Sequence, residues 1–108
     1  MKITLFGATG RTGQTVIEQA LAAGHGITAF ARTPAKLAAR PGLRIVQGEI
    51  TDAAKVAEAI AGAEAVISVL GAARGGASIQ LTLAAKNIIA GMQAHGVKRL
   101  IYSRYAPG

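Results

Sequence analysis

A three-layer α/β/α fold around a five-stranded parallel sheet is predicted by three observations. Short β-rich runs alternate with helical segments along the whole chain. The first of these runs passes directly into three glycines, Gly7, Gly10 and Gly13, that open a helix. Of the 108 residues, 51% are hydrophobic and only 16% charged, a balance that suits helices packed on a buried sheet and argues against disorder. The length corresponds to one domain, residues 1–108, with its own core.

Each element follows from local chemistry. Residues 3–6, 27–31, 43–47, 65–70 and 98–102 read as strands. Residues 11–23 present Val16, Ile17, Ala20 and Leu21 on one face and stop at Gly24, as an amphipathic helix with a glycine stop should. Pro34 opens a short second helix that Pro41 and Gly42 end. Asp52 is a helix cap for residues 53–61, which Gly62 closes. A fourth helix begins near Ser78, carries Leu81, Ala85, Ile88 and Met92 at helical spacing, and stops at Gly96. Right-handed crossovers then give the strand order 3-2-1-4-5, the Rossmann-type arrangement. No repeat, low-complexity tract or linker interrupts it.

In such a sheet, ligands bind at the carboxyl edge, near the switch between strands 1 and 4. Residues 7–13, 32–36, 48–52, 71–74 and 103–105 all follow strands and fall on that edge, whereas His25, His95, Lys98 and Arg99 fall on the opposite one. Both histidines therefore read as structural. With no cysteine and only these two histidines, a metal site, a disulfide and thiolate chemistry are not expected, and the setting predicted is cytoplasmic. The apolar run at the start is broken by Gly7 and Arg11, too short for a membrane span. The net charge of +7 is spread along the chain with four aromatics in all, which does not point to nucleic acid.

The glycine run is the design of a phosphate-holding loop. A side chain at Gly7 or Gly10 would obstruct a pyrophosphate approaching the backbone, free N–H donors stand at the start of the helix, and Gly13 lets helix and strand lie close. Thr9 and Thr12 add hydroxyl donors, and Arg11 either clamps phosphate or points to solvent. Arg32 stands after strand 2, where an NAD site would carry a carboxylate for the ribose 2'-hydroxyl; a guanidinium there makes forked contacts to a 2'-phosphate. Lys36, one turn on, supplies a second cation, so NADP, as NADPH, is the expected cofactor. After strand 3, Ile50 is placed to cover one face of adenine and Glu49 to approach its exocyclic amine, with Asp52 read as a cap. Leu70 and Gly71 lie where ribose and nicotinamide would pass. Ser103 and Tyr105 are the hydroxyls placed to polarise a substrate, although residues 102–106 do not make the Y-x-x-x-K pair of short-chain dehydrogenases.

GATGRTG after strand 1, ARTPAKL after strand 2, GEITD after strand 3, VISVLGA at strand 4 and NIIAGMQAHGVKRLIYS together resemble the atypical short-chain dehydrogenase/reductase group. More narrowly, they resemble its NAD(P)H-binding, NmrA-like members, which include flavin reductase, also called biliverdin-IXβ reductase. The resemblance covers essentially all 108 residues. It implies NADPH bound by Gly7, Thr9, Gly10, Arg11, Thr12 and Gly13, with Arg32 and Lys36 matching the 2'-phosphate cations and Glu49, Ile50, Leu70, Gly71 and Arg74 around adenine and ribose. Family members run to roughly twice this length, so the chain reads as C-terminally truncated relative to them. A gapless match sets Tyr105 at the position of the family's catalytic serine, with Ser103 two positions earlier.

These readings give an NADPH-binding domain of a reductase, with hydride transfer to a flavin-like or quinone-like acceptor. The alternatives are a non-catalytic dinucleotide-binding module and an engineered or excised structural fragment. With strand 5 as a sheet edge, the exposed edge and apolar surface predict a homodimer or larger assembly.

Overall fold

The structure, a computed structural model, describes residues 1–70 and 77–102, with side chains described for 1–70 and 82–102. The elements run β1 (Lys2–Phe6), α1 (Arg11–Ala22), β2 (Gly26–Ala31), a single 3-10 turn (Pro34–Lys36), β3 (Leu43–Gln47), α2 (Ala53–Ile60), β4 (Ala65–Ser68), α3 (Ala77–His95) and β5 (Arg99–Tyr102). All neighbouring strands are parallel, and the sheet order is β3-β2-β1-β4-β5, as the sequence predicts.

Two elements differ from expectation. The second crossover holds a 3-10 turn rather than a helix, and Leu37 after it is already extended at φ −109°, ψ 132°. Only six residues separate Pro34 from Pro41, and the position before a proline is pushed out of the helical region, so no second turn can form. Leu37 instead packs against the core as a single apolar anchor. Strand β4 ends at Ser68 rather than Leu70. The Val69 N–H makes one further bond, to the Phe6 carbonyl at 3.0 Å, before β1 turns away at Gly7 and leaves Leu70 without a ladder partner on that strand.

Strand alternation sorts the core into two halves. Phe6, Phe30, Val46 and Val66 face α2 and α3, where they meet Val56, Ile60, Ile88 and Met92. Ile3, Leu5, Ile27 and Ala29 face the other way, against Ile17 of α1 with Val16, Ala20 and Leu21 beside it. Thr4, fully buried, donates its hydroxyl to the Ala59 carbonyl at 2.7 Å and so fastens β1 to α2. Helices α2 and α3 approach closely because position 91 has no side chain: a Cβ there would stand 2.9 Å from Ile60 Cδ1 and 3.2 Å from Ala57 Cα.

Candidate dinucleotide site

At the switch point, the loops after β1 and β4 touch. Gly7 has φ +90°, a conformation that L side chains rarely adopt, and a Cβ on it would lie 2.9 Å from the Val69 carbonyl carbon and 3.1 Å from the Leu70 nitrogen. Gly13 is buried in the first turn of α1, where a Cβ would overlap the Gly7 carbonyl oxygen and come within 2.8 Å of Ala8 Cα. Gly10 differs from both. Its backbone is extended at φ −75°, and among the described residues a Cβ there would meet only the Gly7 oxygen, at an ordinary 3.6 Å. The protein itself therefore requires Gly7 and Gly13 but not Gly10.

The helix that follows begins without a cap. Gly10 offers no side chain to the first turn, which contains no acidic residue. The Gly10 N–H bonds back to Gly7 at 3.3 Å and Gln14 N–H begins the helical ladder on the Gly10 carbonyl at 3.0 Å. Among the described residues, the N–H groups of Arg11, Thr12 and Gly13 find no protein acceptor. These donors share the positive end of the helix dipole, an arrangement fitted to an anion. Thr9, Gly10, Arg11 and Thr12 are all exposed around them.

Cations and apolar surface flank this point. Arg32 and Lys36 are exposed on the loop after β2, and no carboxylate occurs between Arg32 and Lys36. The end of β2 is tied to the next loop by the Gly48 N–H bond to the Ala31 carbonyl at 3.1 Å. Gly48 crosses so close over the Phe30 ring that a Cβ would stand 2.9 Å from Cζ. Beyond it, Glu49 is exposed, while Ile50 and Leu70 are half-buried on the same cluster as the Phe6–Phe30 ring pair. Asp52 is a cap, as expected, accepting from Ala54 N–H at 3.1 Å and Lys55 N–H at 3.3 Å. Gly71, Arg74, Ser103 and Tyr105 lie outside the described residues. His25 sits at the far edge with Nδ1 3.2 Å from the N-terminal amine, and His95 is the last residue of α3. Among the described residues, no group of acidic or histidine side chains is arranged to hold a metal ion.

Two residues escaped the sequence reading. Asn87 of α3 donates from Nδ2 to the Ile50 carbonyl at 2.9 Å, a contact between segments 37 positions apart. Ser68, at the end of β4, is fully buried with no partner for its hydroxyl among the described residues. Nothing in a single sequence marks either, because each depends on which segment is packed above it.

A family model described as NAD(P)H-binding matches residues 7–106, beginning at the first glycine of the loop. The chain belongs to this NAD(P)H-binding family. Among curated proteins it is similar to the 3 beta-hydroxysteroid dehydrogenase/Delta 5-->4-isomerase of Mycobacterium tuberculosis, at 30% identity over 94% of this chain and 31% of that protein. Among solved structures, it is similar to a Rossmann-fold NAD(P)-binding family protein from Shigella flexneri (30% identity, TM-score 0.78, 92% of this chain and 49% of the other). An oxidoreductase from Lactococcus lactis superposes with a TM-score of 0.82 at 24% identity over 94% of this chain and 47% of the other, a likeness of fold alone. The chain thus spans about a third of the length of the curated relatives it matches and about half that of the solved structures. What the family and the fold share is a nicotinamide dinucleotide at the carboxyl edge, and the open donors at the start of α1 fit its pyrophosphate. Among the described residues, no helix is long and apolar enough to cross a membrane.

Proposed function

We propose that this chain binds NADPH in preference to NADH, as the coenzyme domain of a cytoplasmic reductase of the NmrA-like, flavin-reductase type. The observation that carries the reading is the unsatisfied row of N–H groups at Arg11, Thr12 and Gly13, with Arg32 standing where an NAD site needs a carboxylate. In this reading the residues of 7–13 cradle the pyrophosphate and Arg32 and Lys36 hold the 2'-phosphate. Ile50 and Leu70 cover the adenosine half with Gly71 and Arg74, and Glu49 accepts from the base amine. NADPH, when bound, supplies a hydride, here to a flavin-like or quinone-like acceptor, with Ser103 or Tyr105 donating the hydrogen bond that polarises it. The kinship with a dehydrogenase supports an oxidoreductase. Leu100, Ile101 and Tyr102 are exposed on β5, and we assign this surface to a second copy of the chain.

Calorimetric titration tests the coenzyme assignment. NADPH is expected to bind at least tenfold more tightly than NADH; equal affinities would remove the role given to Arg32, and no heat with either would remove the site. Oxidation of NADPH on addition of free flavin separates a reductase from a module that only holds the coenzyme. Light scattering at micromolar concentration reads the assembly, which a monomer would refute.

A further inference from the structure

We propose that Asn87 is a positioning residue for base recognition: its amide holds the Ile50 carbonyl and so fixes the loop on which Glu49 and Ile50 meet adenine. The inference rests on the dinucleotide reading above and extends it to a residue of α3.

The loop at residues 48–52 is pinned at both ends by its own neighbourhood. Gly48 N–H bonds to the Ala31 carbonyl at 3.1 Å, and Asp52 N–H bonds to the Glu49 carbonyl at 2.9 Å while the Asp52 carboxylate caps α2. Between these points, the Ile50 carbonyl is held by a partner from outside the loop, Asn87 Nδ2, at 2.9 Å. Ile50 itself is half-buried against the Phe6–Phe30 cluster, so its part-buried carbonyl relies on the Asn87 amide in place of water. Remove the amide, and a partly buried carbonyl is left without its donor; the loop then shifts to bring that carbonyl to water, and Glu49, one residue earlier on the same loop, is re-aimed.

Glu49 is the member of the loop whose aim is chemical. It is exposed and takes no part in the ion pair found among the described residues, Lys55–Glu58. A carboxylate accepts from the exocyclic amine of adenine and repels the carbonyl oxygen that hypoxanthine carries at the same position, so base preference reports where Glu49 points. Asn87 is itself half-buried, on a helix that anchors in the core through the buried Ala84, Ile88 and Met92, which gives its amide a fixed mount.

The experiment compares NADPH with its hypoxanthine analogue on the intact 108-residue chain, for the unsubstituted protein, Asn87→Leu, Asn87→Asp and Glu49→Gln. The unsubstituted chain is expected to favour the adenine coenzyme about tenfold, the ratio that one hydrogen bond to a charged group supports. Both Asn87 variants should lose most of that ratio, and adding Glu49→Gln to either should remove little more, because the two act through one loop. Failure of the unsubstituted chain to bind NADPH would defeat the dinucleotide reading itself. The positioning role alone is overturned if NADPH binds without base preference, if the folded variants keep the preference, or if they weaken both coenzymes equally. It is overturned as well if the Asn87 and Glu49 effects add independently, or if neither Asn87 variant folds, which would make the residue purely structural.

Discussion

Two of the helices that start at the carboxyl edge of this sheet, α1 and α2, start in opposite ways. Helix α2 carries its own anion: Asp52 accepts two N–H groups of the first turn and satisfies them within the chain. Helix α1 carries none; its cap is Gly10, its first turn has no acidic residue, and its N–H groups at 11–13 are left open. Both ends present the same donors and the same dipole. One is finished by the fold and the other is left to be finished by a ligand, and that contrast separates structural chemistry from binding chemistry along a single edge.

The contrast can be broken most severely at Gly13. Alanine there drives a methyl into the Gly7 carbonyl and Ala8, and the loop has to move; the expected loss is about 3 kcal/mol, with coenzyme binding abolished. Thermal melting and titration of Gly13→Ala read both. Next comes the conversion of α1 into a likeness of α2. Gly10→Asp is sterically tolerated, since Gly10 is extended and has room for a Cβ. It should keep or slightly raise the melting temperature while weakening NADPH about 100-fold, because a carboxylate occupies the donors and repels phosphate. A variant that melts early and binds normally would mean that the open turn is not the phosphate site.

Arg32→Ala should cost about 2 kcal/mol of NADPH affinity, the range of a charge-assisted hydrogen bond, and leave NADH unchanged. The comparison of the two coenzymes is the readout, since a general loss would point to loop damage. The smallest effect belongs to the finished helix. Asp52→Ala should lower stability by about 1 kcal/mol in denaturant unfolding and change NADPH affinity little. A large loss of affinity with stability intact would show that Asp52 serves the ligand and that the two helix ends are not divided as described.

Much of this was legible in the chain. The strand order follows from alternation, crossover handedness and the glycine loop that opens the chain as a dinucleotide fold does, and Asp52 reads as a cap because an aspartate directly precedes an apolar helical run. The paired prolines at 34 and 41 were also visible, yet the helix expected between them does not form; proline opens a helix only where enough residues follow to complete its turns. Glycine spacing located the phosphate loop but could not divide its members. Gly7 and Gly13 are demanded by the backbone of residues 69–70, just past β4, and of the loop itself, whereas a Cβ on Gly10 would make only an ordinary contact. Asn87 and Gly91 could not be found at all, because their partners on the 48–52 loop and on α2 are fixed by how α3 lies across the sheet.

By itself, the sequence determined the periodic and the local: which segments are strands, which turns hold glycine, which helix begins with a carboxylate and which with none. These depend on side chains within a few positions of one another, so a linear reading reaches them. Tertiary structure alone decided which glycine is packed against backbone and which is free, where β4 leaves the ladder, and which amide reaches the Ile50 carbonyl. Each of those is a distance between segments brought together only when the sheet and its helices close on a common core, and sequence spacing carries no measure of it.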